Sequence, residues 1–360
     1  MPASKTYMSA VNTHPNSGAA EALLVEVTRG DMVESRHWVH CAVVDASGRT
    51  VTAAGVVDQP IYGRSAIKGL QALPLLETGA ADRFGLGNAE IALACASHNG
   101  ESRHVETVRR WLKRVGLAVA DLECGIHMPY HEPSAAALLR SSAAPTPAHN
   151  NCSGKHAGFL TTARHQGEPT RGYIAYDHPV QLRVTATLEA MCGVALAQAS
   201  KGIDGCGIPV IAIPLAAIAL GMARLADPEK LPAERRAAAL RICAAAAAEP
   251  FMVAGTGRFC TELMQRLGRR AFVKTGAEGV FCAALPELGL GIAVKAADGA
   301  GRAAEAAVGY LLECLKVIGE QDRAALLPVL EPPIRSRAGR LVGAIRVARG
   351  GEAQSSIRSS

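Results

Sequence analysis

Ala271-Phe272-Val273-Lys274-Thr275-Gly276-Ala277-Glu278-Gly279-Val280-Phe281-Cys282-Ala283 is the stretch on which the fold turns. Ala271–Thr275 and Val280–Ala283 are short apolar runs of strand type, parted by a glycine-bounded loop, and Gly291–Ala296 repeats the pattern. Loops this tight join antiparallel neighbours, so the three strands are expected to form a meander. A helix from Gly301 to about Ile318 follows, and Arg340–Ala348 is expected to return as an edge strand.

Working outward, Leu23–Thr28, Val39–Asp45 and Arg49–Ala54 also read as strands, with Ala46-Ser47-Gly48 as a hairpin turn. Between the two groups lie helical patterns at Ser65–Leu76, His104–Val115 (closed by Gly116), Lys155–His165, Pro179–Ala199, Ala233–Ala248 and Gly257–Leu267. Met128–Asn151 reads as a loop. The expected class is α/β of the α+β kind: an antiparallel sheet completed by both ends of the chain, flanked by helices, around a helical region. Residues 1–20 are expected to be a disordered tail, 21–330 one domain, and 331–360 a terminal strand with a basic tail.

A chain of 360 residues with 49% hydrophobic and 19% charged side chains can bury a large core. Its formal charge is +6, and Arg335–Arg349 holds five arginines without an acid, which reads as a solvated basic end. Aromatics at 4% are too few for base-stacking platforms, so no nucleic-acid partner is expected. The longest uncharged apolar stretch, Ile208–Ala223, is interrupted by Pro209 and Pro214 and falls short of a membrane span. Met1–Ala20 lacks the apolar centre of a secretory signal. The ten cysteines show no disulfide rhythm, so reduced thiols in the cytoplasm are expected.

Three short motifs stand in order: Ser65-Ala66-Ile67-Lys68, Ser97-His98-Asn99 and Lys274-Thr275-Gly276. They correspond in type and order to the S-x-x-K, S-D-N and K-T-G elements of penicillin-recognising serine hydrolases. Serine is a poor nucleophile until a base takes its proton, and a desolvated lysine can be neutral enough to do so. On a helix, Ser65 and Lys68 would share one face, with free N–H groups nearby for a developing oxyanion. Ser97 follows the apolar run Ile91–Ala96, and Lys274 sits on a strand, so a second pair could face the first. S-x-x-K by itself recurs by chance, and a helix-capping serine with a surface lysine would read the same.

Asn151-Cys152-Ser153-Gly154-Lys155-His156 and Asp204-Gly205-Cys206-Gly207 form a second constellation. Two thiolates and an amine would suit zinc, with Asp204 orienting the ligands from behind. Without paired C-x-x-C spacing, and with lysine a rare ligand, the residues by themselves favour two buried free thiols.

Taken together with Val25–Ser35 and Lys274–Gly279, these islands resemble the class 3, rhizobial-type L-asparaginases, the asparaginase II family. Asn151–His156 is the most specific piece, and the likeness runs from about Val25 to the final helix. The resemblance implies a fold similar to serine β-lactamases and glutaminases, a homodimer, and hydrolysis of L-asparagine to L-aspartate and ammonia. It implies catalytic pairs of Ser65 with Lys68 and Ser97 with Lys274. It also implies one zinc per chain on Cys152, Lys155 and Cys206, aiding substrate binding. Arg64 and His156 are candidate substrate contacts. Gly69 departs from the proline that family members often carry after the lysine. Rival readings are a glutaminase or penicillin-recognising hydrolase on the same scaffold, or a non-catalytic zinc-binding protein.

Overall fold

The computed structural model describes residues 21–348. The tail expected over residues 1–20, and the end of the basic stretch beyond Ala348, lie outside them. Eleven strands occur among the described residues: β1 (Leu23–Arg29), β2 (Met32–Asp45), β3 (Thr50–Ala54), β4 (Pro60–Tyr62), β5 (Lys201–Ile203), β6 (Pro209–Pro214), β7 (Phe272–Thr275), β8 (Val280–Leu285), β9 (Leu290–Ala296), β10 (Pro333–Arg335) and β11 (Leu341–Val347). The main sheet runs β10-β11-β1-β2-β9-β8-β7, with β3 pairing beside the far half of β2. Every pairing is antiparallel. A small separate sheet has the order β4-β6-β5.

The β7-β8-β9 meander is present as the sequence predicts, with Lys274 paired to Cys282 across it. β2 begins at Met32, well before the predicted Val39, because its first half zips onto β1 as a hairpin around Gly30. β11 is not an edge strand. It lies between β1 and β10, with Val25 opposite Val347, so the basic end is sheet as far as Val347. Arg346 leans toward Glu26 there.

Every residue of β8 is buried, so both faces of the sheet are covered there. Helices Leu215–Ala226 and Gly301–Cys314 provide the cover. Gly291 lets the first of these onto the sheet backbone: a Cβ there would lie 2.1 Å from the Ala219 carbonyl oxygen. The apolar stretch Ile208–Ala223 is divided between β6 and this twelve-residue helix. No helix among the described residues is long and apolar enough to cross a membrane.

The helical region packs Leu73–Glu77, Asn88–Ala94, Ser153–Gln166 and Ala233–Ala248 together. The helix predicted over Ser65–Leu76 is broken. Arg64–Ile67 is a 3-10 turn, Lys68–Gln71 a single α turn, and Leu73–Glu77 a further piece with Pro74 in its first turn. Helix Pro179–Cys192 stops seven residues early, because Gly193 turns left-handed. The loop expected over Met128–Asn151 holds a helix at Glu132–Arg140, and an unpredicted helix spans Glu320–Leu330.

Candidate active site

Four pieces of chain meet where the main sheet abuts the helical region: the turn Arg64–Lys68, the segment Ala96–Gly100 after helix Asn88–Ala94, the end of β7, and the start of helix Ser153–Gln166. Gly69 and Gly276 permit the approach. A Cβ on Gly69 would lie 2.6 Å from the Phe272 ring, and one on Gly276 would lie 2.9 Å from the Ala66 backbone nitrogen. The glycine after Lys68 thus packs that turn against β7.

Ser97 is the meeting point. Its hydroxyl oxygen accepts from Lys68 Nζ at 3.0 Å and from Lys274 Nζ at 2.9 Å. All three side chains are buried, with exposures of 5% for Ser97, 0% for Lys68 and 1% for Lys274. Burial, helped by the charge of Lys68, brings Lys274 down to about 7. Lys274 also donates to its neighbour's carbonyl, Thr275 O, at 2.6 Å.

Lys68 is not turned toward Ser65. An ammonium has three N–H donors, and those of Lys68 go to Ala96 O, Ser97 Oγ and Cys152 Sγ. The broken helix accounts for this, since the Lys68 amine enters the buried seam between segments instead of lying along a continuous helix face. Ser65 is half-buried, and its hydroxyl has no hydrogen-bond partner among the described residues. The residue before it, Arg64, adopts φ +48°, a left-handed conformation that costs energy for a side chain with a Cβ. A four-residue 3-10 turn also carries less aligned dipole than the helix start that was expected.

The second constellation adjoins the first. Cys152 caps the helix Ser153–Gln166, and Lys155 lies one turn in. Lys155 Nζ is 3.1 Å from Cys206 Sγ. The Cys206 thiol hydrogen-bonds Cys152, which holds Cys152 well below its ordinary value against the cost of burial, with Lys68 and Lys155 adding to the effect. The same bond pushes Cys206 up. The pair therefore carries one thiolate in a cationic setting. Burial works against the charged Lys155 amine, but Cys206, Cys152 and Asp204 outweigh it and raise its pKa. Asp204 accepts from Arg64 Nε at 3.1 Å and Nη2 at 2.8 Å. Burial opposes its carboxylate, and Lys155 and Arg64 overcome that opposition.

Two soft sulfurs and an amine converge here, a donor set compatible with zinc. Among the described residues no group of three or more His, Cys, Asp or Glu side chains is arranged to hold a metal ion, so Lys155 would have to be the third ligand.

His156 lies apart from the solvent. It is fully buried, its Nδ1 is 2.8 Å from the Tyr173 hydroxyl, and burial holds its pKa well below the usual range. The same Tyr173 hydroxyl accepts from Glu123 N at 2.8 Å, and His156 Nε2 is buried without a hydrogen-bond partner among the described residues.

Several contributors escaped sequence reasoning. His98 accepts from Gly100 N at 3.0 Å and so donates through Nε2 to Ser153 Oγ at 2.8 Å, pinning the Ser97 segment to the cysteine-bearing helix. Arg258 donates to Asn99 Oδ1 at 3.0 Å and reaches the Ser97 carbonyl at 3.5 Å. The glycine-flanked run Gly255-Thr256-Gly257-Arg258 was the available signal.

Comparison with known proteins fits this arrangement. Residues 25–347 match the family described as L-asparaginase II, which is nearly the whole of the described chain. The chain belongs to the L-asparaginase II family. That makes it a member of an amidohydrolase family, whose substrates are small molecules. No curated protein matches it. Solved structures with overlapping folds include a β-lactamase from Mycobacterium bovis, at 15% identity over 73% of this chain and 88% of that one, TM-score 0.36. Mglu overlaps at 16% identity over 78% and 67%, TM-score 0.35. Simvastatin synthase (LovD) from Aspergillus terreus overlaps at 10% identity over 71% and 86%, TM-score 0.31. At TM-scores this low, the assignment to the L-asparaginase II family stands on the sequence match alone.

Proposed function

We propose that this protein hydrolyses L-asparagine to L-aspartate and ammonia through a serine acyl-enzyme. The observation that carries the reading is the Ser97 hydroxyl held between two buried lysine amines, one of them down to about 7, in a member of this family.

Ser65 is the nucleophile in this reading. Its hydroxyl is unengaged and half-buried, whereas Ser97 is closed in by both amines. Lys274 in its neutral form takes a proton from Ser97, which takes one from Lys68. That transfer leaves Lys68 neutral and loosens its hold on Ala96, Ser97 and Cys152, and the step requires the amine then to turn to Ser65 and take its proton. Ser65 Oγ then bonds to the side-chain amide carbon, and the C–N bond breaks as the relay returns a proton to the leaving ammonia. Water, deprotonated by the same relay, cleaves the ester and releases aspartate.

Cys152, Lys155 and Cys206 would hold one zinc per chain, with Asp204 behind them. When bound, the ion would supply a positive charge that orients the substrate. A cytosolic homodimer completes the proposal. Ammonia release from L-asparagine and L-glutamine by wild type and Ser65→Ala tests it: no release from either amide by wild type would sink the reading.

A further inference from the structure

The α-carboxylate of an amino-acid amide needs a cation, and most cations near this site are engaged. Arg64 puts both its Nε and Nη2 on Asp204. Lys155 faces Cys206, and Lys68 and Lys274 share Ser97. Arg258 differs. Its hydrogen-bond partners among the described residues are two neutral oxygens, Asn99 Oδ1 and Ser97 O, both reached by Nη1. No carboxylate among the described residues lies within ion-pair distance of it. Glu305 feels its charge without reaching that contact.

The guanidinium is also held in place. Asn99 Nδ2 donates to Thr256 O at 3.0 Å and to Glu101 Oε1 at 3.3 Å, which fixes Oδ1 toward Arg258. Glu101 in turn accepts from the Thr256 N–H at 2.8 Å and its hydroxyl at 2.7 Å. Arg258 lines an open cleft of about 580 Å³ with Asn99, Tyr130, His131, Glu132, Pro133 and Thr256, and Glu132 is the one carboxylate among them. One end of the guanidinium thus grips the backbone of Ser97, the residue whose hydroxyl joins the two lysines, and the rest is free for an anion.

We infer that Arg258 anchors the substrate's α-carboxylate, and that the amino-acid end of the substrate lies in the cleft it lines. This inference rests on the amidohydrolase reading above and names the residue that selects an amino acid over a simple amide. A planar fork whose Nε and Nη2 are both unspent suits a carboxylate, and Asn99 keeps it aligned before substrate arrives.

The test compares wild type, Arg258→Lys and Arg258→Met on L-asparagine and on β-alaninamide, which keeps the amine and the amide but lacks the carboxylate. Losing a hydrogen-bonded charge partner should raise KM for L-asparagine in Arg258→Met by about tenfold or more. Loss of its grip on the Ser97 backbone should lower kcat/KM for β-alaninamide as well, but by about tenfold less than for L-asparagine, and Arg258→Lys should recover part of the difference. A merely structural Arg258 would depress both substrates equally, which would overturn the inference. Calorimetric titration with L-aspartate separates the two readings. If wild type releases no ammonia from either amide, the asparaginase reading fails, and a tenfold weaker aspartate affinity in Arg258→Met still supports the anchor. Unchanged affinity in the variant, or no aspartate binding by wild type, overturns it.

Discussion

The Lys274 amine donates to the Ser97 hydroxyl at 2.9 Å from a fully buried position on β7, and that burial sets the proton chemistry of the site. A lysine brought down to about 7 is neutral in a large fraction of molecules at physiological pH. If its neutral form draws the proton relay, kcat/KM should climb with pH and level off above about 7. Lys274→Arg keeps the charge at every working pH and should cost about a hundredfold or more in kcat. A profile flat from mildly acid to alkaline pH would remove Lys274 from the relay.

Stability should follow the same group with a defined sign. In the unfolded chain a lysine titrates near 10.4, whereas folded Lys274 titrates at about 7. Between those values the unfolded state binds the extra proton, so this residue's contribution to stability grows as pH rises through that window. Below about 7 the full cost of a buried ammonium is present. Lys274→Met should therefore flatten this part of the stability profile and gain most, relative to wild type, on the acid side. Denaturant titrations at a series of pH values measure it.

Ser65 and Ser97 can be told apart. Ser65→Ala removes the proposed nucleophile from a hydroxyl with no internal partner, so the fold should be almost unaffected while turnover falls by at least about a thousandfold. Ser97→Ala leaves two buried amines without their shared acceptor and should also destabilise the protein, by about 1–3 kcal/mol. Trapping the acyl group by mass spectrometry assigns it directly. A label on Ser97 would exchange their roles.

Much of this site was legible in the sequence, and its failures have a common origin. The β7-β8-β9 meander follows from local pattern, and so does a helix beginning beside Cys152. The Ser65–Lys68 contact was inferred from helical spacing, and it is absent because three acceptors from Ala96, Ser97 and Cys152 claim the amine. Those acceptors come from segments remote in sequence, and no local periodicity encodes them. The same holds for β11, whose place inside the sheet depends on β1, more than three hundred residues away. The glycine-flanked run ending at Arg258 marked the segment, but the role of that arginine depends on which other cations are already paired.

Gly276 tests the close approach of β7 to the turn that carries Ser65. An added Cβ would lie 2.9 Å from Ala66 N and 3.2 Å from Ala66 Cβ, both on a short, packed turn. Gly276→Ala should displace Ser65 by a fraction of an ångström and lower kcat by about tenfold to a hundredfold. KM should change less, and the melting temperature should fall by only a few degrees. Wild-type kcat in Gly276→Ala would mean that the turn yields without disturbing Ser65.

The metal is decided by Cys206. Cys152, Cys206 and Lys155 bring two sulfurs and an amine together beside Asp204, but without an ion the amine is held protonated and the sulfurs share a proton. Zinc must displace those protons to bind, so occupancy should fall as pH drops. Protein purified without chelators should contain about one zinc per chain by elemental analysis. Cys206→Ser, which replaces a soft donor with a hydroxyl, should lose most of it. If the ion only orients L-asparagine, that variant and the chelated wild type should show a KM raised by about tenfold, with kcat altered much less. A parallel collapse of kcat would instead give the metal a part in bond breaking. Absence of zinc, with full activity in the Cys152→Ser, Cys206→Ser double variant, would leave the pair as two buried thiols that stabilise each other by one shared proton.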